Sequence, residues 1–102
     1  MKIERILNEN ENKITFLIEG ELDVHNVKAL KSEIVDSIES EGRIYILDMK
    51  KVAYLDSSGL GMLVYIKKEL YRNNSELRII NLNNAVMNVF KLTKLDDYFK
   101  LS

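Results

Sequence analysis

Helix-capping residues and glycines are concentrated in one part of the sequence, Leu55-Asp56-Ser57-Ser58-Gly59-Leu60-Gly61-Met62-Leu63. An apolar run, residues 44–47, precedes it, and apolar residues at helical spacing follow it. The stretch is therefore predicted to join a strand to a helix. Asp and Ser accept hydrogen bonds from the unpaired amides of a first helical turn, and the two glycines allow another backbone or a bulky ligand to approach closely. The junction thus presents a serine hydroxyl at the positive end of a helix, which suits a phosphate.

The rest of the chain is predicted to supply three strands and a helix before this junction, and a strand and a short helix after the helix that the junction starts. The β-branched and aromatic residues favour strands at residues 2–8, 13–20, 43–49 and 77–82, with a short extended segment at 52–55. Apolar spacing predicts helices after Asp23, up to Gly42; after Ser58, to about Arg72; and after Asn83 or Asn84, with a final turn. The consecutive apolar residues at 44–47 indicate a central strand covered on both faces. The predicted fold is an α/β single domain, ββαβαβα, with a mixed sheet of four to five strands and helices packed on it.

Composition limits the classes of function. The 102 residues predict one domain, 1–102, and the absence of cysteine with a single histidine, His25, argues against a metal site. Lys and Arg number 15 against 16 Asp and Glu, so the balanced charge argues against a nucleic-acid partner. Charges within residues 1–6 and the lack of a long apolar run argue against a signal peptide or direct membrane insertion. We expect a cytoplasmic protein.

The junction does not resemble an enzyme site. A nucleophilic serine needs a base, and His25 is the only histidine, with no evident orienting carboxylate. The segment is not a G-x-S-x-G elbow, and Gly59-x-Gly61 lacks the third glycine of a dinucleotide fingerprint and the Gly-Lys of a P-loop. We therefore expect no catalytic residues and no cofactor of its own.

The residues alone leave two interpretations of the polar positions open. Asp23 and Ser58 both follow strands, so they are expected to share one edge of the sheet. A structural role is the commoner one for both residue types. For Asp23 it is a helix cap, which stands ahead of binding, and for Ser58 it is a helix cap or first-turn residue, which stands ahead of phosphorylation. Met62 and Ile66 are typical of a core, although they widen the apolar arc of their helix enough to suit a partner as well.

The whole chain resembles the STAS domain family, in the stand-alone form found in bacterial anti-sigma factor antagonists. The resemblance depends on Asp-Ser-Ser-Gly-Leu-Gly at 56–61, supported by Gly-Glu-Leu-Asp at 20–23, the apolar strand ending at Asp48, the strand at 77–82, and residues 89–95 with Phe99. It implies that an anti-sigma factor serine kinase, using ATP and Mg²⁺, phosphorylates Ser58. The unphosphorylated antagonist binds this kinase and releases a sigma factor, phosphorylation ends the binding, and a serine phosphatase resets the switch.

The resemblance also implies a partner-binding surface, made of Asp23, Asp56, Ser57, Ser58, Gly59, Leu60, Gly61 and Met62. It leaves an alternative in which the domain is a non-switched adaptor subunit of a signalling or lipid-transport complex. In that case the same helix would bind its partner permanently, and Ser58 would only cap the helix.

Overall fold

The computed structural model describes residues 1–39 and 41–101. The elements follow the predicted order: β1 (Lys2–Asn8), β2 (Lys13–Leu22), α1 (Val27–Asp36), β3 (Ile44–Leu55), α2 (Ser57–Arg72), β4 (Glu76–Ile80) and α3 (Asn84–Leu92). After α3, the amide of Phe99 donates to the carbonyl oxygen of Leu95 across 3.0 Å, which forms the predicted final turn. Among the described residues, no helix is long and apolar enough to cross a membrane.

The described strands form one mixed sheet in the order β1-β2-β3-β4. The hairpin of β1 and β2 is antiparallel, whereas β3 pairs in parallel with both β2 and β4. The prediction of a mixed sheet is confirmed, with four strands in the part of the chain that is described. Strand β3 is longer than predicted, because it continues past Asp48 and includes the segment 52–55. Irregularities in its pairing with β2, between Leu17 and Glu19 and between Gly20 and Glu21, accommodate this length.

The core lies on one face of the sheet. Buried residues alternate along β2 and along the first half of β3, and they form a single cluster with the buried residues of the three helices. Tyr45 and Leu47 belong to this cluster, while Ile44 and Ile46, which point to the opposite face, are only half-buried. The prediction that this strand is covered on both faces is therefore wrong. The β-branched Ile44 and Ile46 favour the strand conformation itself, and Tyr45 and Leu47 on the other face are enough to attach the strand to the core.

The ends of α1 also differ from the prediction. The residue at the N-cap is Asn26, not Asp23, and α1 ends at Asp36, well before Gly42. The capping residue Ser37 is buried, and the hydroxyl of Tyr45 donates a hydrogen bond to the carbonyl oxygen of Ser37 across 3.1 Å. Burial raises the pKa of Tyr45, and the nearby Arg43 charge only partly offsets this effect. A polar contact thus ties the end of α1 to the central strand.

Candidate functional site

The strands β2 and β3 end together at one edge of the sheet. Leu22 and Leu55, their last residues, are partners in the parallel register. The amide of Asp56 then donates to the carbonyl oxygen of Leu22 across 3.1 Å, which ties the start of α2 to the end of β2. Asp23 and the segment 56–58 consequently lie at the same edge, as the sequence predicted.

Asp56 caps helix α2. It has extended backbone angles, and its side-chain oxygen Oδ1 accepts a hydrogen bond from the amide of Gly59 at 3.0 Å. This bond satisfies one of the amides that a helix start leaves unpaired. Ser57 and Ser58 are therefore the first two residues of the helix. Of the two structural roles considered for Ser58, it has that of a first-turn residue and not that of the cap, because Asp56 is the capping residue.

Gly59 allows the first turn of α2 to lie directly on the end of β2. A Cβ atom at this position would stand 2.6 Å from the carbonyl oxygen of Leu22 and 3.2 Å from Cγ of Leu55. Gly61 is different, since a Cβ there would meet nothing within 4 Å and the residue is exposed. The close backbone approach predicted for the two glycines occurs at Gly59 alone, and Gly61 instead leaves an open surface.

The two serines offer free hydroxyl groups beside the cap. Ser57 is exposed and Ser58 half-buried. In residues 1–39 and 41–101, neither hydroxyl takes part in a hydrogen bond, and no buried side-chain oxygen there lacks a partner, so solvent reaches the Ser58 oxygen. A hydroxyl without a structural bond, at the positive end of a 16-residue helix, is suited to accept a phosphoryl group without loss of a contact in the fold.

Asp23 is used in a turn rather than as a cap. Its side-chain oxygen Oδ1 accepts from the amide of His25 at 3.0 Å, and its carbonyl oxygen accepts from the amides of Asn26 and Val27 at 3.0 Å each. His25 is exposed, and the described part of the chain contains no hydrogen bond between its ring and either serine. The geometry thus holds Asp23 beside the start of α2.

Some members of the partner-binding surface that the resemblance implies have buried side chains. Leu60 and Met62 are buried, and Ile66 is completely buried, so their side chains pack in the core. The hypothesis that Met62 and Ile66 extend an apolar arc to a partner is wrong, because both lie on the face that α2 turns to the sheet. The accessible members of the predicted surface are Asp23, Asp56, Ser57, Ser58 and Gly61.

Two exposed apolar residues lie at the same edge and were not predicted from the sequence. Val24 follows Asp23 and is 64% exposed, and Tyr54 precedes Leu55 and is 53% exposed. Their position directly beside the strand ends is the signal that would have identified them. Their apolar character alone does not identify them, because the core residues on either side of them are apolar too.

Comparison with known proteins identifies the family of the chain and other proteins with the same fold. The family model described as STAS domain matches residues 4–102. An anti-sigma-B factor antagonist of Bacillus subtilis (strain 168) is 32% identical over 102 residues, which cover 100% of this chain and 93% of that relative. The fold is similar to that of the anti-sigma factor antagonist SpoIIAA in its unphosphorylated form, with a TM-score of 0.78 and 21% identity over 95% of this chain and 84% of the other. It is also similar to the Bacillus cell fate determinant SpoIIAA in its phosphorylated form, with a TM-score of 0.71 and 20% identity over 95% of this chain and 87% of the other. The chain belongs to the STAS domain family.

Proposed function

We propose that this chain is an anti-sigma factor antagonist, a single-domain cytoplasmic regulator without catalytic activity. Its unphosphorylated form binds an anti-sigma factor that is a serine kinase, and this binding releases a sigma factor. Phosphorylation of Ser58 ends the binding, and a serine phosphatase restores it. The ATP and Mg²⁺ belong to the kinase, and the chain itself needs no cofactor. The names of the relatives support this function.

One observation carries the proposal: within residues 1–39 and 41–101 the Ser58 hydroxyl has no hydrogen-bond partner, solvent reaches it, and it lies at the start of α2, beside the turn that holds Asp23. A kinase can transfer the γ-phosphoryl group of ATP to this oxygen, with the hydroxyl proton leaving to a base of the kinase and ADP released. Ser57 is equally unbonded and more exposed. The choice of Ser58 rests on the family resemblance and is part of the proposal.

Phosphorylation is proposed to act at the interface, with little rearrangement of the fold. A phosphoserine adds about −1.5 to −2 charges. The helix start partly stabilises this charge, while the carboxylates of Asp56 and Asp23 at the same edge oppose it. A partner packed over Ser58 would have to desolvate a new dianion. A loss of about 3 kcal/mol there lowers the affinity by about 10²-fold.

The test uses four baits in lysate of the native cells: wild type, Ser58→Ala, Ser58→Asp and the matched control Ser57→Ala, each with and without ATP and Mg²⁺. Without ATP, we expect wild type, Ser57→Ala and Ser58→Ala to retain an ATP-binding serine kinase, and Ser58→Asp to lose it. With ATP and Mg²⁺, wild type and Ser57→Ala should release the kinase as they are phosphorylated, whereas Ser58→Ala should keep it. Mass spectrometry should then find phosphate on residue 58 of wild type and Ser57→Ala only. The retained kinase, purified, should bind wild type directly.

Two results would contradict the proposal. Phosphate on Ser57 in the Ser58→Ala protein, at the wild-type rate, would reassign the acceptor. Equal retention of the same proteins by all four baits, with no phosphate on any, would instead support the adaptor alternative, in which Ser58 has no part in switching.

A further inference from the structure

The turn between β2 and α1 displays an apolar side chain in a fixed position. Val24 lies in this turn and is 64% exposed. Asp23 accepts hydrogen bonds from the amides of His25, Asn26 and Val27. The side-chain amide of Asn26 donates back to the carbonyl oxygen of Glu21 across 3.0 Å. These bonds on both sides of Val24 fix the backbone that carries it.

Tyr54 is held in a comparable way on the neighbouring strand. It pairs in parallel register with Glu21, the residue whose carbonyl oxygen anchors the Val24 turn. Its side chain is 53% exposed although it lies within β3, and two residues later Asp56 caps the helix that carries Ser58. Val24 and Tyr54 thus stand at the same sheet edge as the serine pair, each within two residues of an edge aspartate.

Exposed apolar groups held by a rigid backbone favour binding. An exposed valine or tyrosine contributes little to the fold, but it releases water from apolar surface when a partner covers it. Because the turn and the strand are already ordered, little conformational entropy is lost on binding. Exposure alone is not the distinguishing feature, since Tyr71 and Leu92 are 81% and 84% exposed at the ends of α2 and α3. What sets Val24 and Tyr54 apart is their position at the edge that carries Ser58.

We propose that Val24 and Tyr54 are the apolar anchors of the surface that binds the anti-sigma factor kinase. This inference rests on the proposed function and deepens it by naming residues of the partner surface. The partner then has an apolar surface for each anchor, next to the site where its ATP meets Ser58. Leu60 and Met62 cannot take this role, because their side chains are buried in the core.

The experiment compares Val24→Ser and Tyr54→Ser with the matched controls Leu92→Ser and Tyr71→Ser. Calorimetry measures the affinity of each for the purified kinase that wild type retains, with a non-hydrolysable ATP analogue. We expect each edge variant to bind about tenfold more weakly, which corresponds to burial of one such side chain. Both controls should bind within about twofold of wild type. At saturating kinase and with ATP, all variants should be phosphorylated at the wild-type rate, since Ser58 is unchanged.

The outcomes separate this inference from the proposed function. If wild type binds the kinase and is phosphorylated, and both edge variants bind the kinase as tightly as wild type does, Val24 and Tyr54 are not anchors. The proposed function then stands. A loss limited to one edge variant overturns the claim that both residues are anchors. Equal losses in the edge variants and the controls also overturn it, because they indicate a general effect of apolar surface. If wild type neither binds the kinase nor accepts phosphate, both proposals fail. Melting temperatures within about two degrees of wild type for all four variants exclude misfolding as the cause of a loss.

Discussion

Replacing Gly59 by alanine should destabilise the protein through one steric contact. The added Cβ would stand 2.6 Å from the carbonyl oxygen of Leu22 and 3.1 Å from its Cβ, and 3.2 Å from Cγ of Leu55. The first of these atoms is backbone, and it already accepts the amide of Asp56, so no side-chain rotation relieves the clash. The first turn of α2 must move away from the sheet instead.

The magnitude follows from two opposing effects. Overpacking of this kind destabilises a protein by about 1–3 kcal/mol. Alanine is a better helix former than glycine by at most about 1 kcal/mol, and by less in a first turn. Overpacking is the larger effect, because the nearest atom is the backbone carbonyl oxygen of Leu22, which cannot rotate away. We expect Gly59→Ala to lower the free energy of unfolding by about 1–2 kcal/mol.

Gly61→Ala is the matched control on the same helix. A Cβ there meets nothing within 4 Å, so only the gain in helix propensity remains, and stability should rise by up to about 1 kcal/mol. Urea denaturation at neutral pH, followed by circular dichroism, measures both variants with the wild type. Equal stability of Gly59→Ala and Gly61→Ala would contradict this prediction, because the close approach of Leu22 to α2 would then have no energetic effect.

Two further predictions concern named hydrogen bonds. Asp56→Ala removes the acceptor for the amide of Gly59 and should lower the free energy of unfolding by about 1 kcal/mol, measured in a thermal melt. Asp56→Asn keeps an acceptor and should stay close to the stability of wild type. Equal losses in both variants would show that the charge of Asp56, and not capping, is responsible. Tyr45→Phe removes a buried bond to Ser37 and should lower stability by about 1 kcal/mol at pH 8. Because the pKa of Tyr45 is raised in the folded state, its stabilising effect is complete below pH about 10, where an unfolded tyrosine stays neutral, and is lost as the pH rises through the folded pKa. Urea titrations between pH 8 and 11 should therefore show the difference between wild type and Tyr45→Phe shrinking with pH, and a constant difference would contradict this explanation.

The order of the elements and the position of the site could be predicted because local chemistry decides both. Aspartate and serine after an apolar run specify a helix start, and two parallel strands with such residues at their ends bring them to one edge. The sequence therefore predicts correctly that Asp23 and Ser58 lie at one edge of the sheet. Spacing alone does not tell which of the two glycines lies against another backbone: Gly59 faces the sheet, and Gly61 faces solvent.

The errors arose where tertiary contacts overrule a local preference. An aspartate at the end of a strand is equally suited to cap a helix and to close a turn, and only the hydrogen bond to His25 shows that Asp23 does the second. The isoleucines of β3 indicate a strand, but which of its faces is covered depends on where the helices pack. Val24 and Tyr54 could not be recognised as surface residues from the sequence, because the exposure of a side chain depends on how the chain packs.

If Ser58 is phosphorylated as proposed, capping by Asp56 rather than by Ser58 would explain how the modification leaves the helix intact. If Ser58 supplied the cap, its phosphorylation would remove a bond that holds the first turn. Asp56 supplies it instead, so a phosphate on Ser58 would leave the bond to Gly59 intact. The added charge then has no contact in the fold to break, and its main effect falls on whatever covers the edge. On this argument Ser58→Asp should keep the stability of wild type to within about 0.5 kcal/mol, while its affinity for the kinase falls by about 10²-fold.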